Sequence, residues 1–249
     1  MYKEVEMRFL LKFSYDGTNY SGCQSQPGLN TIQQQLENAL EKVNNGQKTT
    51  ICATGRTDKG VHALCQCAHT DLSIDITEAK LKRALNSNLP DDIHIISTEV
   101  VDNNFHARYN VKGKEYRYYI NLGEYNPLER NYVFQYNHEL NIENMSKAIK
   151  YFIGTHDYRA FVTENKEKEN CIRTIDKASI EQNSNKLIIT FHGNGFLRYQ
   201  VRNMVGILIR VGENKISPET VEKILESKDR TKSGKTAPAV GLYLTGVEY

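Results

Sequence analysis

The sequence has no long apolar run and almost no net charge, and both absences limit what the protein can be. No stretch approaches the roughly 18 consecutive apolar residues of a membrane-spanning helix. The opening segment MYKEVEMRF has no apolar core behind a basic start, so we expect no signal peptide. The formal net charge is only +2 over 249 residues. Any nucleic-acid surface must therefore come from local clustering of cations.

Cysteine is scarce, and its number is odd. The chain has five cysteines, and Cys65-Gln-Cys67 is too closely spaced and too strand-like for an ordinary zinc pair. We predict reduced thiols in a cytoplasmic protein, with Cys52, Cys65 and Cys67 as core residues of strands and with no metal bound. The length allows one large domain or two of about 120 residues each.

The first half of the chain alternates strand and helix patterns. Arg8–Tyr15 has the period-two apolar pattern of a strand. Thr31 begins a helix, with Gln34 three residues later as in a capping box. Further strands are predicted at Thr49–Ala53, Ala63–Thr70 and Ile93–Val101, and a further helix at Glu78–Leu89. The order β-α-β-β-α-β predicts a compact, ferredoxin-like α+β half.

The second half repeats this theme loosely. Its predicted elements are a strand at Lys114–Asn121, a helix at Ile142–Ile153, a hairpin of Ala178–Gln182 and Lys186–His192, a long apolar helix at Phe196–Val211, a shorter helix opened by Ser217-Pro218, and a closing strand at Leu242–Val247. The charged stretch Thr163–Asn170 is predicted to be a solvated loop. We therefore predict two α+β halves with antiparallel sheets, residues 1–106 and 107–249, facing each other across a cleft.

The stretch TGRTDKGVH, from Thr54 to His62, holds one carboxylate between an arginine and two glycines. Gly55 and Gly60 would allow the backbone to turn sharply around Asp58 and a substrate to approach closely. Arg56 favours the ionised carboxylate, as a nucleophile requires. The alternative is a turn with a structural ion pair, and this stretch alone does not decide between the two.

The segment FHARYNVKGKEYRY, Phe105–Tyr118, interleaves basic and aromatic residues. The cations are Arg108, Lys112, Lys114 and Arg117, and the tyrosines are Tyr109, Tyr116 and Tyr118. Cations can hold phosphates while tyrosine rings stack on bases, which indicates a nucleic-acid groove. The alternative is a strand with a solvated basic face and core tyrosines.

The segment GFLRYQVRNMVG places two arginines in an apolar helical pattern. Arg198 and Arg202 are four residues apart and would share one helix face. An arginine on the buried side of a helix is costly unless it meets a carboxylate or a phosphate. Arg202 is therefore a candidate partner for Asp58.

Six stretches, in this order and along essentially the whole chain, resemble the tRNA pseudouridine synthase A family. They are YDGTNYSGCQSQ, ATGRTDKGVHA, FHARYNVKGKEYRY, GTHDYRAF, FLRYQVRNMVG and KDRTKSGKTAPAVGLYL. The resemblance implies isomerisation of uridine at positions 38, 39 and/or 40 in the anticodon stem-loop of tRNA. It also implies two α+β halves around a central basic cleft, and a homodimer in which one tRNA touches both subunits. Neither a cofactor nor a metal is implied.

The resemblance also assigns roles by position. Asp58 corresponds to the catalytic nucleophile, Tyr116 to the tyrosine that stacks on the target base, and Arg202 to the arginine that pairs with the catalytic carboxylate. Arg56 would line the same pocket and help to position the RNA backbone. One departure is Cys23, where the family usually has tryptophan, and the chain has no tryptophan at all. It removes a large aromatic near the expected RNA surface.

The chemistry of the reaction requires these residue types. An ionised carboxylate can attack C1′ of the sugar, add to C6 of the ring or assist loss of the C2′ proton, and the sequence does not choose among these routes. The uridine must leave the base stack, so the site needs an aromatic platform such as Tyr116, whose phenol could also help to remove the C5 proton. We predict that His62 is a structural hydrogen-bonding residue.

Two alternatives to a tRNA enzyme of this kind stay open. One is the same chemistry on another structured RNA, and the other is an RNA-binding protein of this fold without activity. The presence of Asp58, Arg56, Tyr116 and Arg202 together favours the enzyme.

Overall fold

The computed structural model describes residues 6–162 and 170–249, which fold into two compact units. The N-terminal unit comprises the described part of Met1–Lys112 together with Leu244–Tyr249, and the C-terminal unit comprises Gly113–Tyr243. The division at 1–106 and 107–249 stays a prediction. The solvated loop predicted at Thr163–Asn170 lies, apart from Asn170, outside the described residues.

The N-terminal unit has the predicted β-α-β-β-α-β order. Its elements are β1 (Met7–Tyr15), α1 (Ile32–Val43), β2 (Cys52–Ala53), β3 (His62–Leu72), α2 (Glu78–Asn86) and β4 (Ile93–Val101). The strands lie in the order β4-β1-β3, and β1 pairs antiparallel with both neighbours. The last strand, β10 (Leu242–Glu248), lies on the other side of β3, and the short β2 also pairs with β3.

The helices of this unit follow from local sequence. Thr31 caps α1, because its hydroxyl accepts a hydrogen bond from the backbone N–H of Gln34 at 3.3 Å. The capping interaction predicted from the sequence is confirmed. The apolar stripe of α1 is buried and forms part of the core: Ile32, Leu36, Ala39 and Leu40.

The strand predicted at Thr49–Ala53 is wrong before Cys52. Side chains take the place of a strand ladder in this segment. Thr49 donates its hydroxyl to the carbonyl of Asp71 at 2.9 Å, and the N–H of Ile51 bonds to the carboxylate of Glu37 at 3.1 Å. Only Cys52–Ala53 pairs with β3.

The C-terminal unit is built on an antiparallel sheet with the strand order β5-β9-β8-β7. Its elements are β5 (Gly113–Asn121), β6 (Phe134–Gln135), α3 (Ile142–Ala148), β7 (Gly154–Asp157), β8 (Ile172–Asn183), β9 (Lys186–Gly193), α4 (Gln200–Gly212) and α5 (Thr220–Ser227). β6 pairs parallel to β5. The prediction of an α+β fold with antiparallel sheets is confirmed.

Two predicted helices of this unit differ in length from the observed ones. The α-helix predicted to reach Ile153 ends at Ala148 and continues as a 3-10 turn, Ile149–Phe152. The helix predicted from Phe196 begins only at Gln200, because Tyr199 has a left-handed backbone with φ +62°. Within residues 6–162 and 170–249, no helix is both long and apolar enough to cross a membrane.

Candidate active site

Asp58 lies in the loop between β2 and β3, and the backbone around it is held by buried contacts. The hydroxyls of Tyr15 and Thr57 are 2.8 Å apart in a buried hydrogen bond. The N–H of Cys23 donates to the carbonyl of Thr57 at 3.2 Å, and the N–H of Val61 donates to the carbonyl of Asp58 at 3.2 Å. The residue before Asp58 is thus fixed through both its side chain and its carbonyl.

The start of the same loop is held by Thr54, which is buried. Its N–H donates to the carbonyl of Cys67 at 2.8 Å, and its hydroxyl lies 2.6 Å from the phenol oxygen of Tyr249. That phenol also donates to the carbonyl of Ala107 at 3.0 Å. Burial raises the pKa of Tyr249, so the phenol keeps its proton at neutral pH and remains a donor.

The tip of the loop is accessible, in contrast to its ends. Asp58 is half-buried, while Arg56 and Lys59 are exposed. Gly60 adopts φ +77°, a left-handed conformation that favours glycine and that turns the chain after Asp58. The loop therefore presents one carboxylate between two solvated cations on a rigid base.

Cys23 lies beneath the loop around Asp58, and its position near an RNA surface stays a prediction. The side chain is 1% exposed, and burial raises the pKa of its thiol to about 12. The backbone of Cys23 bonds to Thr57, which places this residue against the inner side of the loop around Asp58. Cys23 therefore contributes to the packing under the loop.

His62 follows the loop at the start of β3 and is buried. Its Nδ1 atom lies 3.1 Å from the backbone nitrogen of Gly17 and 3.1 Å from a carboxylate oxygen of Asp16. The neutral ring accepts from Gly17, and the protonated ring donates to Asp16. In both states it ties β3 to the turn that follows β1, which supports the structural role predicted for it.

Tyr116 and Tyr118 point to the buried face of the C-terminal unit's sheet. Tyr118 is fully buried and donates its phenol to the carbonyl of Pro238 at 2.7 Å. Tyr116 is 8% exposed, and its ring meets Phe196 edge-on at 5.2 Å between centroids. A base would reach only the small exposed part of Tyr116, and its stacking role stays a prediction.

Arg117 does not share the face of Tyr116. Neighbouring residues of a strand point to opposite faces, so Arg117 lies on the same side of β5 as Glu115. The Nε atom of Arg117 donates to the carboxylate of Glu115 at 3.0 Å. The sequence-based grouping of Arg117 with Tyr116 in one groove is therefore wrong.

Arg198 and Arg202 meet at Tyr199, although they do not share a helix face as predicted. The left-handed backbone of Tyr199 ends the irregular segment before α4, which leaves Arg198 outside the helix. The guanidinium carbons of Arg198 and Arg202 lie 5.0 and 5.3 Å from the centre of the Tyr199 ring. Arg202 also donates from Nε to the carbonyl of Ala237 at 2.8 Å. Its pairing with Asp58 stays a prediction.

Sequence reasoning missed Tyr15, Tyr199 and Tyr249 as supports of candidate site residues. Tyr249 is 195 positions from Thr54, so no local pattern could have linked them. Tyr15 was predicted as one residue of an apolar strand face, and its phenol gave no further signal. Tyr199 lies inside a continuous helical pattern that conceals its left-handed backbone.

One cluster among the described residues has ligand types that suit a metal: Cys52, His69 and His106. However, the Nδ1 atom of His69 accepts from the N–H of Ala107, and the Nδ1 atom of His106 accepts from the N–H of Arg108. A neutral imidazole that accepts at Nδ1 carries its proton on Nε2, so neither ring keeps a lone pair for a cation. Burial also raises the pKa of the Cys52 thiol. In this arrangement the three residues serve as a hydrogen-bonded support of the turn at His106.

Comparison with known proteins assigns the chain to a family. A family model described as tRNA pseudouridine synthase matches residues 12–110 and 148–249. The chain is similar to tRNA pseudouridine synthase A of Limosilactobacillus reuteri, with 44% identity over 97% of this chain and 96% of the relative. It is 41% identical to tRNA pseudouridine synthase A of Streptococcus pneumoniae over 97% of this chain and 98% of the relative. It is 43% identical to tRNA pseudouridine synthase A 1 of Bacillus cereus over 95% of this chain and 96% of the relative. The chain therefore belongs to the tRNA pseudouridine synthase family, whose members are isomerases.

Proposed function

We propose that the protein isomerises uridine to pseudouridine at positions 38, 39 and/or 40 in the anticodon stem-loop of tRNA, with Asp58 as the nucleophile. It acts in the cytoplasm as a homodimer, and one tRNA contacts both subunits. Arg56 positions the RNA backbone, Tyr116 stacks on the target base and Arg202 pairs with the catalytic carboxylate.

The observation that carries this proposal is the construction of the loop around Asp58. Thr54 and Thr57 are buried and hydrogen-bonded, whereas Arg56 and Lys59 are exposed. A rigid base under an accessible carboxylate is what nucleophilic catalysis on a large substrate requires, because the reacting atoms must be held close to attack geometry.

The reaction breaks the C1′–N1 bond, turns the base and forms a C1′–C5 bond. N1 gains a proton and C5 loses one, so the reaction needs no redox partner and no water. The ionised carboxylate of Asp58 attacks C1′, adds to C6 or assists loss of the C2′ proton. Cations beside the loop hold phosphates of the flipped-out nucleotide.

The experiment measures release of the C5 hydrogen, as tritium, from tRNA transcripts that carry labelled uridine at one of the three positions. We expect release with the wild type and loss of release with Asp58→Asn, which keeps size and hydrogen bonding but removes the ionised group. Binding of tRNA by Asp58→Asn should be largely kept. Substantial pseudouridine formation by this variant would exclude the nucleophile role.

The matched control is Asp75→Asn, which removes an exposed carboxylate of the same unit outside the loop. It should keep the rate of the wild type. Mapping of pseudouridine in total RNA, with and without the gene, then identifies the modified RNAs. Modification confined to RNAs other than tRNA would contradict the proposed substrate.

A further inference from the structure

The three tyrosines of the segment Phe105–Tyr118 differ sharply in accessibility. Tyr116 and Tyr118 are buried, whereas Tyr109 is 77% exposed. An isolated exposed aromatic needs no explanation by itself. Tyr109, however, combines exposure with a fixed backbone, a stacked ring and neighbouring cations.

The backbone of Tyr109 belongs to a tight turn that starts at His106. The N–H groups of Tyr109 and Asn110 both donate to the carbonyl of His106, at 3.1 and 3.0 Å. The side-chain oxygen of Asn110 accepts from the N–H of His106 at 2.6 Å, which closes the turn from the other side. Arg8 anchors Phe105, the residue before this turn, since it donates to the carbonyl of Phe105 at 2.9 Å. The exposed ring is therefore carried on a rigid base.

The ring of Tyr109 is already stacked on one side. Its centroid lies 4.2 Å from that of His106 with 29° between the planes, and His106 in turn meets His69 edge-on at 4.7 Å. Because the residue is largely exposed, its other face is open to solvent. A tyrosine held in this way loses little conformational entropy when a flat ring stacks on it.

The surroundings of Tyr109 are cationic and polar. Arg108, Asn110 and Lys112 are all exposed around it. Lysine is depleted at protein–protein interfaces, whereas cations beside an exposed aromatic ring are typical of a surface that holds a nucleic acid. A base flanked by phosphates matches an aromatic ring flanked by cations.

We propose that the open face of Tyr109 stacks on an unpaired base of the tRNA other than the uridine that is isomerised, while Arg108 and Lys112 contact neighbouring phosphates. This inference rests on the proposed function, because it assumes that tRNA is the substrate. It adds a second base-binding position on the N-terminal unit, which aligns the RNA rather than reacting with it.

The test compares the tRNA dissociation constant and the KM of Tyr109→Ala, Tyr109→Phe and Tyr109→Leu with those of the wild type. We expect Tyr109→Ala to raise both constants about 5- to 100-fold, the range for loss of one base–aromatic stack. Tyr109→Phe should restore most of the affinity, because the ring is kept. Tyr109→Leu still covers His106 but offers no π-face, so it should bind nearly as weakly as Tyr109→Ala.

A salt series separates stacking from charge. Tyr109→Ala should leave the dependence of affinity on salt unchanged, whereas Arg108→Ala should reduce the log–log slope by about 0.7 to 0.9. The control is Tyr125→Ala, which removes a 54% exposed tyrosine of the C-terminal unit and should keep wild-type affinity.

Several outcomes would overturn the inference. They are wild-type binding by Tyr109→Ala or Tyr109→Leu, an equal loss in Tyr125→Ala, and a change of oligomeric state in Tyr109→Ala at unchanged tRNA affinity. Each of these leaves the proposed function standing if the wild type forms pseudouridine. A wild type that is inactive on every tRNA would instead contradict the proposed function itself.

Discussion

Gly22→Ala is the substitution with the most specific expected effect on the loop that carries Asp58. Gly22 has φ +102°, and a Cβ atom there would lie 2.9 Å from the carbonyl oxygen of Thr57 and 3.5 Å from the carbonyl carbon of Asp58. Ordinary van der Waals contact begins at 3.4 Å. The new methyl group must therefore displace the backbone beside the proposed nucleophile by about half an ångström.

We expect the loop around Thr57 to move, because Gly22 is anchored by the start of α1. The first N–H groups of α1 bond to the carbonyls of Gly22 and Cys23, Ile32 at 3.3 Å and Gln33 at 2.9 Å. Movement of Gly22 would break both hydrogen bonds of this helix start, whereas movement of Thr57 strains its own two, from the N–H of Cys23 and with the phenol of Tyr15. Since a misplacement of about 1 Å costs up to about 100-fold in rate, we expect kcat/KM to fall by about 10- to 100-fold.

The matched control is Gly28→Ala. Gly28 also has a positive φ, +72°, but a Cβ atom there would meet nothing within 4 Å. Both substitutions carry the cost of a left-handed backbone, about 1–2 kcal/mol of the free energy of unfolding. Urea unfolding measures that shared cost, and tritium release at a temperature where both variants are folded measures activity. An equal loss of kcat/KM in the two variants would refute the proposed displacement of the loop.

Three further predictions follow from the site and its surroundings. Tyr116→Phe should keep base stacking and lose only what the hydroxyl contributes, whereas Tyr116→Ala should lose both; equal pseudouridine formation by the two would exclude a stacking role. The affinity for tRNA should fall with a log–log salt slope well beyond −2, since each phosphate contact contributes about −0.7 to −0.9, and Lys112→Glu should flatten this slope while Lys42→Glu on α1 should not. A shallow salt slope for the wild type would mean that the RNA binds to another surface of the protein. The hydrogen bond from Arg8 lowers the pKa of Asp71. The ionised Asp71 therefore stabilises the folded protein above the ordinary carboxyl pKa of about 3.9, and this stabilisation is lost as the pH falls through the lowered pKa. Urea unfolding should therefore show Asp71→Asn as destabilising at pH 7, with a difference that shrinks as the pH falls below the ordinary pKa of a carboxyl group, and a pH-independent difference would contradict this.

The fold could be predicted where local patterns decide the structure. The period of two along β1 and the Thr31 cap of α1 are set by neighbouring residues, and both were predicted from the sequence. Thr49–Ile51 was mistaken for strand because the groups that bond to it, the carbonyl of Asp71 and the carboxylate of Glu37, belong to residues distant in the sequence. A β-type composition does not reveal which atoms form hydrogen bonds with the backbone N–H and C=O groups.

The candidate site was predictable as a set of motifs, but its supports were not. Asp58 and Arg56 lie in one short stretch, so their proximity follows from the sequence. Cys23 was placed near the expected RNA surface because a tryptophan is usual there in the family, and only the structure shows that its side chain is buried and its backbone bonded to Thr57. Burial of a position is a property of the packed chain, and a motif does not state it.

The error over Arg117 differs in kind, because the sequence contained enough to avoid it. KEYRY was predicted to be a strand, and a strand directs alternate residues to opposite faces. Tyr116 and Tyr118 must then share one face, and Arg117 must lie with Glu115 on the other, where the two form an ion pair at 3.0 Å. The same alternation cannot place Tyr109, which lies in a turn before β5. Its exposure depends on the hydrogen bonds of the His106 turn, and these became visible only when the chain was folded.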